Sequence, residues 1–262
     1  MAAFFFSDVH LGLDSPENER QKENRLLGFL RTILPASDHL FILGDLFDFW
    51  FEYGTVIPKG FHRTLAALQD FTDRGIPVHY LAGNHDFWMG DFFRQELGMI
   101  LHADPYEMTV GGKQIFFHHG DGLAKNDTGY RLLKPILRSR INIRLYRWLH
   151  PDIGVRLARG SSRTSRQHTS RKHFGEEEGM IEFACSQLAR GADIVMMGHR
   201  HMPSLLSIDR GTYVNLGDWI TYNTYAELSD GQLSLKTWDG SRGHVYDGKT
   251  EAPASFGPAP NR

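Results

Sequence analysis

The stretch YLAGNHDFWMGDFF, residues 80–93, decides how the rest of the chain is read. An apolar run from Val78 to Ala82 stops at Gly83. Three polar residues follow at once, Asn84, His85 and Asp86, and then Phe87, Trp88 and Met89. A short apolar run ended by glycine and a polar cluster reads as a buried strand leaving its sheet. In an open α/β sheet, ligands bind outside the carboxyl ends of the strands, which is where these polar side chains would stand.

The same punctuation recurs along the chain. SDVHL puts Asp8 and His10 after a first strand, and FILGDLFDFW puts Asp45 after a second. FFHHGDG ends a run with His118 and His119, and VMMGHRHM ends another with His199 and His201. Residues two apart on an extended chain point the same way, which would pair Asp8 with His10 and His199 with His201. Five strand ends would then bring Asp8, His10, Asp45, Asn84, His119, His199 and His201 to one rim. Two carboxylates, one amide oxygen and four imidazoles are too many donors for one tetrahedral zinc. They suit two first-row divalent cations sharing a carboxylate, with Asp45, central in the set, as the bridge. The mixed nitrogen and oxygen set favours manganese, with iron or zinc as alternatives, over calcium.

The remaining sequence sets the frame. Ala2–Ser7, His39–Leu43, Pro77–Ala82, Lys113–His118 and Asp193–Met197 read as strands, and Glu17–Leu34, Pro58–Asp73 and Gly175–Ala189 as amphipathic helices. Met108–Val110, Ser204–Ile208, Thr212–Asn215 and Gln232–Trp238 read as further strands, giving an α/β sandwich. The 262 residues are 41% hydrophobic with a net charge of −2, which allows a sizeable core and argues against a generic nucleic-acid binder. Cys185 is the only cysteine, which excludes an internal disulfide and fits a reducing compartment. No secretory signal is expected, because Asp8 and His10 end the first apolar run early, and no membrane span is expected, because no stretch approaches roughly 18 apolar residues. The segment 123–174 breaks the alternation with helix-like stretches that carry 13 Lys and Arg against Asp127 and Asp152. Large apolar residues such as Ile141, Leu145 and Trp148 lie among them, which suggests a cap over an anionic, greasy ligand or a membrane-surface patch. The expected organisation is one domain over residues 1–242, a helical cap inserted at about 123–174, and a disordered Pro/Gly/Ala-rich tail over 243–262.

The ordered series D-x-H, G-D-x-x-D, G-N-H-D, H-G-D and G-H-x-H resembles the calcineurin-like metallophosphoesterases from Phe4 to about Gly217. The resemblance implies a four-layer αββα sandwich. It assigns one cation to Asp8, His10, Asp45 and His201, and the other to Asp45, Asn84, His119 and His199. It also implies attack on phosphorus by a hydroxide held between the cations, with His85 as an outer-sphere acid and Asp86 orienting His85 or a ligand. Asp48 is expected to support the ligands from behind.

Two further stretches, GDLFDFWFEYG and HHGDGLAKNDTGYRLLKPILRS, resemble the UDP-2,3-diacylglucosamine hydrolase branch, which cleaves a lipid A precursor. That likeness implies hydrolysis to UMP and 2,3-diacylglucosamine 1-phosphate by a cytoplasmic protein at the inner face of the membrane. Substrate contacts are then expected at Asn84, His85, Asp127, Tyr130, Ser162, Arg163, Ser165, Arg166 and His199. Position 85 departs from that branch, whose best-known members have Arg there. Two alternatives remain at this point: a soluble phosphatase or phosphodiesterase acting on nucleotides or phosphoproteins, and a non-catalytic metal-site scaffold. Oligomeric state is not legible in the sequence.

Overall fold

The computed structural model describes residues 2–124, 134–157 and 176–248. The first half runs β1 (Ala2–Phe6), α1 (Pro16–Ile33), β2 (Ser37–Ile42), α2 (His62–Asp73), β3 (Val78–Leu81), α3 (Phe92–Gln95), β4 (Ile100–His102), β5 (Tyr106–Val110) and β6 (Lys113–Phe117). The rest runs α4 (Arg140–Tyr146), α5 (Glu176–Ala189), β7 (Ile194–Met197), β8 (Ser204–Ile208), β9 (Gly211–Asn215), β10 (Thr224–Ser229), β11 (Gln232–Trp238) and β12 (Gly243–Val245).

β1 is buried on both faces, and its alternation assigns the layers. Phe5 joins an inner cluster with Phe41, Leu81, Phe117, Met196 and Val214, whereas Phe4 and Phe6 face Leu26, Phe29 and Leu30 of α1. Each such phenylalanine contributes about 1.5–3 kcal/mol by leaving water. On the far side, Met180 and Ala184 of α5 cover Val195, Met197 and Tyr213. Two helices, two sheets and a third helix thus form the expected αββα sandwich.

One sheet has the order β12-β11-β10-β1-β2-β3-β4 and the other β5-β6-β7-β9-β8. Register places the site. In the first sheet Phe6 lies opposite Ile42 and Ile42 opposite Tyr80, all parallel, so three neighbouring strands end almost level. In the second, Phe117 lies opposite Met196, again parallel. The loops after β1, β2, β3, β6 and β7 therefore leave from one edge of the sandwich.

α1 starts at Pro16 behind Ser15, whose hydroxyl accepts from the Asn18 backbone N–H. α2 begins at His62 rather than at Pro58, because Gly60 takes a φ of 109° that interrupts the helix. Three strands are absent from the sequence reading: β4, β10 and β12. β12 lies within the stretch read as tail. It pairs antiparallel with β11, and the Tyr246 N–H donates to the Leu235 carbonyl. The folded unit therefore extends past residue 242. Within the segment 123–174, the described residues include α4 and a helical stretch over 151–157. No helix among the described residues is long and apolar enough to cross a membrane.

Candidate metal centre

The loops after the strands are tight and strained. Asp8, His10, Asp45, His199 and His201 have φ values of 54°, 49°, 53°, 68° and 60°. Side-chain-bearing residues avoid this left-handed region, at roughly 1–3 kcal/mol each, and such strain gathers at functional sites. Asp8 and His10 do not converge as alternate residues of a strand; they converge because left-handed turns fold the loop back on itself. Gly44, with a φ of 88°, lets these loops touch: a Cβ there would stand 2.5 Å from His119 Nδ1 and 2.7 Å from the Cα of Gly83.

The structure brings all seven expected donor residues together. Asp8 Oδ1 lies 3.7 Å from His10 Nε2 and 3.5 Å from His201 Nε2, and those two ring nitrogens are 3.2 Å apart. Asp45 Oδ2 lies 3.7 Å from His10 Nε2 and 3.3 Å from His119 Nε2, so one carboxylate oxygen faces both halves of the site. His119 Nε2 is 2.9 Å from Asn84 Oδ1, and His199 clusters with Asp45 and His119. Among the described residues, two of the three groups spaced to hold a cation are Asp8–His10–His201 and Asp45–His119–His199; the third is His10–Asp48–His85.

These residues fit divalent cations. Donors bonded at about 2.0–2.2 Å to a shared ion stand about 3–3.5 Å apart, close to the spacings here. Asp8 Oδ1 is buried with no hydrogen-bond partner, although ring nitrogens surround it. The rings are also turned to ligate through Nε2. His119 Nδ1 donates to the Leu43 carbonyl at 2.7 Å, and His201 Nδ1 faces Asp218 Oδ2 at 3.3 Å, leaving each Nε2 lone pair on the site. Burial works against charge on His10 and His119. The carboxylates of Asp48, Asp8 and Asp45 overcome it at His10, and those of Asp45 and Asp8 at His119, raising the two to about 9 and about 10. Burial, aided by His119, holds His199 down at about 4. In the metal-free protein, protons on His10 and His119 offset the two aspartates, and a cation must displace them.

His85 sits beside this cluster, its ring 4.8 Å from that of His10 and its Nδ1 3.0 Å from the Asp48 carbonyl. A carbonyl only accepts, so Nδ1 carries the proton and Nε2 the lone pair. Burial lowers the His85 pKa. In this neutral tautomer Nε2 accepts, and delivering a proton from it requires the ring to be protonated first. Of the two partners expected for Asp86, His85 or a ligand, its contacts fall on the ligand side: its buried carboxylate accepts from the Tyr80 hydroxyl and from the backbone N–H groups of Gly83 and Phe47. It braces the Asn84 turn against the Asp45 loop. Asp48 stands 3.7 Å from His10 Nδ1 and 3.6 Å from His85 Nδ1.

Three supports escaped the sequence reading. The Ser7 hydroxyl donates to Asp8 Oδ2, Asp218 backs His201, and Asp121 pairs with Lys134 at 2.7 Å. Asp218 did carry a signal: NLGDW repeats the glycine-aspartate punctuation after a strand. Asp127, Tyr130, Ser162, Arg163, Ser165 and Arg166 lie outside the described residues.

A cleft of about 440 Å³ opens next to Asp48, between the loop carrying Phe49, Val56 and Ile57 and the cap residues Pro151, Val155 and Arg156. Its wall is mostly apolar, and its charged lining is mixed: Lys59 and Arg156 with Asp48 and Asp152.

The chain is similar to known proteins. A UDP-2,3-diacylglucosamine hydrolase of Porphyromonas gingivalis is 33% identical over 254 residues, covering 90% of this chain and 97% of that protein. One of Edwardsiella ictaluri is 32% identical, covering 86% and 87%. Among solved structures, zinc-complexed Vps29 of Entamoeba histolytica aligns over 94% of this chain and 97% of its own with 12% identity and a TM-score of 0.48. Residues 1–203 match the family described as calcineurin-like phosphoesterase. That span contains every strand-end donor described above, and the chain belongs to the calcineurin-like phosphoesterases.

Proposed function

We propose that this protein hydrolyses the pyrophosphate of UDP-2,3-diacylglucosamine to UMP and 2,3-diacylglucosamine 1-phosphate, a step of lipid A biosynthesis. The observation that carries this reading is the near full-length likeness to proteins of that name, which spans the cap as well as the metal loops. The apolar cleft supports it physically. It begins at Asp48, which touches both His10 and His85, so a greasy chain lying there would end beside the reacting phosphate.

Two divalent cations, manganese first, would be held by Asp8, His10, Asp45 and His201 and by Asp45, Asn84, His119 and His199. When bound they supply charge against the phosphoryl oxygens and a water acidic enough to attack near neutral pH. The chain's own residues do the rest. Asp45 keeps the two halves of the site in register through one oxygen, while its other oxygen accepts from the His85 N–H at 2.9 Å. Asn84 and His199 meet the phosphoryl group at the second half. His85, anchored through Nδ1, handles a proton at Nε2 near that group. Asp127, Tyr130, Ser162, Arg163, Ser165 and Arg166 are the proposed contacts to the sugar diphosphate.

The proposed setting is the cytoplasmic face of the inner membrane. Trp148 is 86% exposed, and Ile141, Leu145 and Ile153 are exposed beside Arg144 and Arg147. Such a mixed basic and apolar surface binds anionic bilayers without spanning them.

The test is UMP release from the diacylated substrate and from its deacylated counterpart, with manganese present. The acylated form should turn over at least about tenfold faster at limiting concentration, a margin that burial of two methylenes supplies. Equal rates would remove the lipid from the reading and favour a general nucleotide pyrophosphatase.

A further inference from the structure

Lys22, in the second turn of α1, is 2% exposed, and lysines are rarely buried unless paired. Its Nζ faces Glu19 Oε1 at 2.8 Å and Asp14 Oδ2 at 3.3 Å, and donates to the main-chain carbonyl of His10 at 2.8 Å. Glu19 accepts in turn from the backbone N–H groups of Gly12 and Asp14, both at 2.8 Å. The start of α1 therefore grips the whole loop 10–14 through one lysine and one glutamate.

The grip falls on a residue that needs it. His10 stands at a φ of 49°, a conformation an L residue does not hold unaided. Its N–H donates to the Asp45 carbonyl at 2.9 Å, and its carbonyl takes the Lys22 ammonium. With both peptide groups fixed, the loop carries the ring to the place where it meets Asp8, Asp45 and His201. The ring is backed separately by Asp48, whose Oδ1 lies 3.7 Å from Nδ1. The backbone part of the hold on this residue comes from Lys22 and from the Asp45 carbonyl.

We propose that Lys22 is a positioning residue for the Asp8–His10–His201 half of the site: it holds His10 in the conformation that presents Nε2 to a cation. The inference rests on the reading of these residues as a two-cation site and adds a residue from outside the strand-end loops. It also assigns the two cations unequal support, because Lys22 grips only the loop that carries His10.

The test is a manganese titration of the full chain, followed by calorimetry and by electron paramagnetic resonance, which distinguishes a coupled manganese pair from an isolated ion. Wild-type protein should bind two ions and give the coupled spectrum. Lys22→Met should weaken one ion by about 10–100-fold, the usual effect of losing support behind a ligand, leave the other unchanged, and give the isolated-ion spectrum at intermediate metal. In a His201→Ala background, Lys22→Met should cause no further loss. Glu19→Gln should shift the same ion in the same direction by less, and it decides the matter if Lys22→Met does not fold. Folded variants that bind both ions with wild-type affinity, or that weaken both equally, overturn the assignment. A wild-type protein that binds fewer than two ions overturns the two-cation reading along with it.

Discussion

His79 shows what burial does to a single side chain here. It is buried in β3 with its ring stacked on Phe41 at 4.6 Å and its Nδ1 3.1 Å from His102 Nε2. Burial, then the neighbouring His102 and His39, lowers its pKa from 6.5 to about 4. Between those values the unfolded chain binds a proton that the folded one refuses. The stabilisation from a neutral His79 is therefore complete above about pH 6.5 and is lost as the pH falls towards 4. Melting temperatures of metal-free protein between pH 7 and 4.5 should fall more steeply for wild type than for His79→Phe; parallel curves would show that His79 does not carry this dependence. At this scale the sequence was legible where chemistry is carried by residue type and spacing. Asp8, His10, Asp45, Asn84, His119, His199 and His201 all followed from their place after apolar runs. For Asp86 the choice between His85 and a ligand was not legible, because its link to Phe47 is set by how two loops pack.

At the scale of elements, glycine decides how closely the loops approach. Gly44→Ala would place a methyl group against His119 Nδ1 and Gly83 at a backbone angle that L side chains avoid. The angle alone costs about 1–2 kcal/mol and the contact adds to it, so we expect a loss of about 2–4 kcal/mol in urea unfolding. The displaced His119 should also weaken one cation. An unchanged unfolding midpoint would show that the loops separate freely. The elements missed in the sequence share one cause. β4 has three residues, β12 has three, and β10 reads TYAELS without a clean alternation; each is a strand because a neighbour offers it a ladder. The cap is tied to the metal loops by specific contacts that its basic composition only hinted at. Lys134 pairs with Asp121, Arg138 donates to the Gly83 carbonyl at 3.3 Å, and Trp88 Nε1 donates to the Leu137 carbonyl at 2.9 Å.

For the whole molecule, metal and fold are linked. Asp8, His10, Asp45 and His119 are buried, and their loops are strained. Each cation that binds only the folded state adds about 2.7 kcal/mol at a hundredfold excess over Kd, which for a chain of this size is about 5–10 °C in Tm per ion. Chelation should lower Tm by at least that amount. Because His10 and His119 keep protons up to about 9 and about 10 in the metal-free protein, the gain should shrink as pH falls. A Tm indifferent to chelator would mean that the loops hold their shape unaided. Trp50, Trp219 and Trp238 are sealed in the sandwich and Trp148 stands in solvent, whereas Trp88 is wedged among Phe51, Phe87 and Tyr146 with its indole nitrogen on the cap backbone. Its emission colour and quenching depend on that fit, so the chain carries its own optical gauge of whether the roof over the cleft is seated or lifted.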